Sequence, residues 1–287
     1  MPADPRSDEM ETRLVDDLVA RARKAQKAYE HGATQDRYDK SALAAAWALM
    51  EPGRNQELAG MAVETTGLGN VADKIRKNHR KTLGVLRDIK NSRTHGVISD
   101  DPATGITEIA RPVGVVGAVV PSTNPVATPT NNVVNALKCG NAIILSPSPA
   151  GVTVCEKLLG YMHAEFDKIG LDHDLVQMIP APVSKVKAQR LMESVDILVV
   201  TGSQNNVHRA YSSSAFRIVA LCHRLPRSAQ GIVLGRLAFH LSRRDLRPDQ
   251  FWRNDGHRHL GHCRSQARQQ DTRGAGILHS GRVPNHH

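Results

Sequence analysis

The chain has 287 residues, is 40% hydrophobic and carries a formal charge of +10, so it is long enough for one large domain or two ordinary ones with a sizeable core. No apolar run reaches membrane-spanning length, and no charged start leads into an apolar secretory stretch. That argues against a membrane protein and sets a cytoplasmic one as the expectation. Cys139, Cys155, Cys222 and Cys263 are scattered, with no C-x-x-C pair, so they suggest neither a disulfide framework nor a zinc knuckle.

The charge is unevenly placed. Residues 1–213 hold 25 Lys+Arg against 24 Asp+Glu, whereas residues 214–287 hold 13 Arg, no Lys, 4 Asp, no Glu and 8 His. A nucleic-acid partner is therefore not expected for the chain as a whole, and only the tail has the charge for one.

In chain order, residues 8–30 place Leu14, Leu18 and Val19 at helical spacing, with acids first and bases later, as a helix dipole favours. Further helices fit 35–50, ending before Pro52, 54–66, closed by Gly67 and Gly69, and 71–91. His95–Ser99 and Ile106–Ala110 alternate around the turn sequence DDPATG and read as an antiparallel hairpin. Val113–Val120 is a continuous apolar run rich in β-branched residues, the mark of a strand buried on both faces. Then come a helix at 128–137, a strand at 142–145, a helix at 152–169, a strand at 175–179, a helix at 184–193, a strand at 197–200 and a helix from near Gly202 to Tyr211. This βαβα order predicts an α/β fold with a Rossmann-like parallel sheet. After Ser213 no period persists. Residues 214–287 read as a separate Arg/His-rich tail, out of frame and poorly ordered.

Three strand ends carry polar groups, where parallel sheets hold ligands. Pro121-Ser-Thr-Asn-Pro125 fixes Asn124 between two prolines. Its amide can face a developing oxyanion; more ordinarily, an Asn there caps the next helix. Ser146-Pro-Ser-Pro149 puts two hydroxyls where a ribose or phosphate can meet them, or is a plain strand-to-helix connection. Thr201-Gly-Ser opens a helix, whose free N–H groups suit a phosphate. Cys139 at a helix end and Cys155 on an apolar helix face have no base beside them in sequence and read as buried structural thiols. His257-Arg-His-Leu-Gly-His-Cys263 has zinc-ligand residue types but no core around it, so no metal site is assigned.

Taken together, the strand–PSTNP–helix–strand–SPSP–helix succession followed by VVTGSQNN resembles the aldehyde dehydrogenase superfamily, and within it the CoA-acylating branch. ETTGLGNVADKIRKNHRKT and ARPVGVVGAVVPSTNP look closest to acylating sulfoacetaldehyde dehydrogenases. The resemblance covers residues 10–213. It implies an oxidoreductase that uses NAD or NADP and CoA, acting on sulfoacetaldehyde or next on acetaldehyde. By position it implies Asn124 as the oxyanion-hole residue, Ser146 and Ser148 at the adenosine ribose, and Gly202 and Ser203 at the pyrophosphate. Val207 stands where many aldehyde dehydrogenases have a second Gly. The hairpin 95–110 matches an oligomerisation element, so a homo-oligomer is implied.

The departure comes after AYSS (210–213). The family's Gly-rich segment and catalytic Cys motif do not follow, and neither Cys222 nor Cys263 has that context. The resemblance therefore implies a truncated copy without turnover. The alternative is a non-catalytic dinucleotide-binding or subunit-pairing module.

Overall fold

The computed structural model describes residues 5–213 and 217–222. Four helices come first: α1 (Pro5–Glu30), α2 (Gln35–Met50), α3 (Pro52–Thr66) and α4 (Val71–Ile89). Local chemistry sets their ends. The side chains of Thr34 and Asn70 accept the N–H groups of Arg37 and Asp73, capping α2 and α4. The third helix starts at Pro52 rather than at 54. Proline has no N–H to leave unmatched at the first helical position, and the Glu51 carboxylate accepts the N–H groups of Gly53 and Arg54. Gly67, at φ 64°, closes the helix in the left-handed region.

The hairpin is present as β1 (Gly96–Asp101) and β2 (Ile106–Ala110), antiparallel, with a register shift between Val97 and Ser99. The main sheet follows: β3 (Val115–Val120), α5 (Ala127–Lys138), β4 (Ala142–Pro147), α6 (Val152–Asp167), β5 (Val176–Met178), α7 (Lys185–Ser194), β6 (Ile197–Gly202), α8 (Gln204–Ser213) and β7 (Arg217–Cys222). All strand pairs are parallel, in the order β5-β4-β3-β6-β7. The expected α/β sheet with N-terminal helices is thus observed.

One expectation is corrected. The pattern does not dissolve directly after Ser213, because Arg217–Cys222 pairs with β6 along its whole length. A single short apolar run, IVAL, has no period to read, and only its partner strand defines it. The remainder of the tail expectation, including its order and the His257–Cys263 tract, lies outside the described residues.

The strand bodies form the core. Val115, Ala118, Ile143, Ile144, Leu198 and Val200 have no exposed surface, and each large aliphatic so buried contributes roughly 1.5–3 kcal/mol. β3 begins at Val115 rather than Val113 because side chains from elsewhere take its preceding N–H groups. Asn141 Oδ1 accepts from Val113 and Gly114, at 2.7 and 3.0 Å. Asp196 Oδ2 accepts from Val115 at 2.7 Å and is itself held by the Arg23 guanidinium at 2.6 Å. Gly114 has φ 128°, and a Cβ there would lie 2.3 Å from Asp196 Oδ2, so only glycine fits.

Candidate functional site

The chain runs from β3 outward through β4 to β5, then crosses back to β6 on the other side of β3. The carboxyl ends of β3 and β6 therefore flank the point where strand order reverses, the place where doubly wound sheets open a crevice. A cleft of about 510 Å³ lies there. Ser122 and Thr123 after β3, Ser146 and Ser148 at the end of β4, and Gly202 and Ser203 at the end of β6 all line it. Four of the five residues singled out in the sequence are thus brought together.

Asn124 is not among the lining residues. It sits one position beyond Thr123, partly buried, and its Oδ1 is buried with no partner among the described residues. It does not cap α5: that helix has Val126 at its N-cap and no side-chain cap bond. The capping alternative for Asn124 therefore fails, and its amide oxygen remains unanswered. Ser148 Oγ and Thr201 Oγ1 are likewise buried without a partner. Unanswered buried hydroxyls and amides are costly, and three of them at the ends of neighbouring strands are what a bound polar ligand would relieve.

Ser203 has a local role as well, since its Oγ accepts the Asn206 N–H at 3.4 Å at the start of α8. A Cβ on Gly202 would meet Asn206 Nδ2 at 3.2 Å, so a larger residue would crowd that side chain beside the cleft. Val207 is partly buried against the core.

Sequence reasoning missed Lys185 and Arg209, which also line the cleft. They come from α7 and α8, and the crossovers carry them there. The only local signal was Ser184, whose Oγ caps α7 by accepting the Lys187 N–H at 3.1 Å and so fixes where Lys185 begins the helix. No carboxylate is among the lining residues, so the cleft is suited to an anion. Its residues fit a dinucleotide: hydroxyls for a ribose, a glycine at a helix start and two cations for phosphates.

Cys139 and Cys155 are buried, and burial pushes both thiols up to about 12. Neither lines the cleft, and neither supplies a thiolate at neutral pH.

This strand order, with small and hydroxyl-bearing residues at its reversal point, defines a doubly wound protein of dinucleotide-binding architecture. Residues 6–236 match the aldehyde dehydrogenase family, and the chain belongs to it. The match passes beyond β7 and beyond the boundary drawn at Ser213.

An acylating sulfoacetaldehyde dehydrogenase of Cupriavidus necator is 61% identical over 195 residues, 68% of this chain and 39% of that protein. One of Bilophila wadsworthia is 41% identical over 201 residues, 70% of this chain and 43% of its own length. The crystal structure of an acetylating aldehyde dehydrogenase from Geobacillus thermoglucosidasius superposes with a TM-score of 0.68 at 34% identity, covering 74% of this chain and 46% of that one. The chain thus spans about two fifths of the curated relatives it matches.

Proposed function

We propose that the chain carries the NAD(P)-binding part of a CoA-acylating aldehyde dehydrogenase, with sulfoacetaldehyde favoured over acetaldehyde as the substrate. The observation that carries this is the convergence of Ser146, Ser148, Gly202 and Ser203 on one cation-lined cleft at the reversal point of the sheet. The relatives' printed activities support the choice of aldehyde.

In this reading Ser146 and Ser148 hold the adenosine ribose, and Gly202, Ser203 and the start of α8 meet the pyrophosphate, with Lys185 and Arg209 neutralising its charge. The bound dinucleotide supplies the hydride acceptor. Asn124 turns its amide toward the oxygen of the reacting carbonyl and stabilises the charge that develops there. The family reaction also needs a thiolate and then CoA. The sequence contains no Cys in the family's motif, so this chain alone is expected to give no turnover.

Calorimetric titration with NAD and NADP tests the binding half, and absence of heat from both would remove it. The catalytic half is tested by mixing the purified chain with sulfoacetaldehyde, CoA and NAD. NADH formation above the blank would contradict the expected inactivity.

A subunit-pairing role is favoured by one observation. Val97 and Ile109, directly paired across the hairpin, are 47% and 40% exposed, and apolar side chains on an exposed strand pair invite a partner. Sedimentation of the chain and of a Val97→Lys, Ile109→Lys variant tests this. Equal mass for both would dismiss it.

A further inference from the structure

The stretch between β5 and α7, residues 179–184, forms one rim of the cleft, since Val183, Ser184 and the first residue of α7, Lys185, all line it. Pro180 and Pro182 stand in this stretch and bring no N–H of their own. A side chain supplies donors instead. The ammonium of Lys187 donates to the Pro182 carbonyl at 2.8 Å and to the Pro180 carbonyl at 3.4 Å. Lys187 is 4% exposed, although it lies in the first turn of α7.

The rim is tied from there to α1. Glu11 Oε1 lies 4.0 Å from the Lys187 ammonium, and Glu11 Oε2 accepts the Ser184 hydroxyl at 2.6 Å. The same hydroxyl oxygen accepts the Lys187 N–H at 3.1 Å. Ser184 is thus held from both sides, and its one hydrogen is used inside the protein. The other ties between α1 and the α7 region are different in kind. Asp16 pairs with Arg190 at 2.7 Å, and Arg23 holds the Ser194 carbonyl at 3.0 Å and Asp196 at 2.6 Å. They bind the body and the far end of α7, and their side chains are more exposed than those of Glu11 and Lys187.

A buried lysine facing one carboxylate across 4.0 Å adds little to stability, because desolvation offsets the attraction. A methionine would fill much the same space. It could not hold two proline carbonyls, and so could not fix where Val183 and Lys185 stand. We infer that Glu11 and Lys187 are positioning residues of the cleft. Acting through Ser184 and the carbonyls of Pro180 and Pro182, they set the rim so that the Lys185 ammonium reaches the bound dinucleotide. The inference rests on the proposed dinucleotide reading for its ligand. Neither Glu11 nor Lys187 is among the lining residues, so both act through the rim and not on the ligand.

The test compares the full chain with its Lys187→Met, Glu11→Ala and Arg23→Met variants. Calorimetry with NAD and NADP gives the affinity, and hydrogen exchange of a peptide covering the rim reports its anchoring without ligand. Lys187→Met and Glu11→Ala are expected to bind about tenfold more weakly, the worth of one hydrogen bond to a charged group, and to exchange faster in the rim. Both should melt within a few degrees of the parent chain. Arg23→Met loosens the far end of α7 and should melt lower, with binding and rim exchange unchanged. Should Lys187→Met fail to fold, Glu11→Ala, at a partly exposed site, carries the test.

A binding loss that Arg23→Met matches at the same loss of melting temperature overturns the inference, since that is the mark of a merely structural role. Binding by the parent chain that neither Glu11→Ala nor Lys187→Met weakens also overturns it, and leaves the proposed function standing. No dinucleotide binding by the parent chain breaks the proposed function. Rim exchange then decides the anchor alone: faster exchange in Glu11→Ala supports it, and unchanged exchange removes it.

Discussion

The two ends of the sheet are built on opposite terms. At the amino ends, the N–H groups leading into β3 are closed by Asn141 and Asp196, and Asp196 is paired with Arg23; Asn141 leaves only its Nδ2 unmatched. At the carboxyl ends, Asn124 Oδ1, Ser148 Oγ and Thr201 Oγ1 are all buried and have no partner among the described residues. The amino ends, with the aliphatic strand bodies beside them, secure the fold. The carboxyl ends leave polar groups that a bound ligand would satisfy.

The largest effect should come from the strand bodies. Leu145→Ala removes a side chain that is 1% exposed and should lower stability by about 3 kcal/mol, read from denaturant unfolding. A loss below about 1 kcal/mol would mean the core tolerates a cavity there. At the amino end, Asp196→Ala strips the Val115 N–H of its acceptor and Arg23 of its carboxylate. Because the pair is partly exposed, the expected loss is smaller, about 2 kcal/mol. At the carboxyl end, Ser148→Ala breaks no hydrogen bond among the described residues and should change stability by less than about 0.5 kcal/mol. It should weaken dinucleotide binding about threefold to tenfold, the worth of one hydrogen bond. A Ser148→Ala chain that melts early but binds normally would reverse the contrast.

The smallest effect lies at the far end of α6. His163 contacts the Val176 carbonyl through Nε2 at 2.9 Å and stacks on His173 at 4.2 Å. Burial first, with the His173 charge, holds its pKa below the usual value, against the opposing pull of the Val176 bond and of Asp167 and Asp174. The unfolded chain therefore binds the proton more readily, so stability from the neutral ring is present above about 6.5 and is lost as pH falls below it. Melting temperature should drop between pH 7 and 5, and His163→Gln should flatten part of that slope. An unchanged slope would show that other groups carry it.

Most of the sheet was legible because buried parallel strands are written as unbroken runs such as VGVVGAVV and AIIL, with turn residues between them. The starts of α2 and α4 at residues 35 and 71 were read as the structure has them, whereas that of α3 at Pro52 was not. Boundaries set from a distance were not: nothing near Val113 says that Asn141 and Asp196 will take the N–H groups before β3. β7 was missed because an isolated IVAL has no period. At the site, PSTNP, SPSP and TGS stood out as strand-end motifs, while Lys185 and Arg209 did not, since only the folded crossovers bring α7 and α8 to the cleft.

The most direct test of the account is titration of NAD and NADP into the full chain and into its Gly202→Val variant, with the melting temperature of each measured alongside. Saturable binding by the parent chain, lost in a variant that melts within a few degrees of it, is the expected result. No binding by the parent chain, or undiminished binding by the variant, would contradict the assignment of the strand-end cleft as the dinucleotide site.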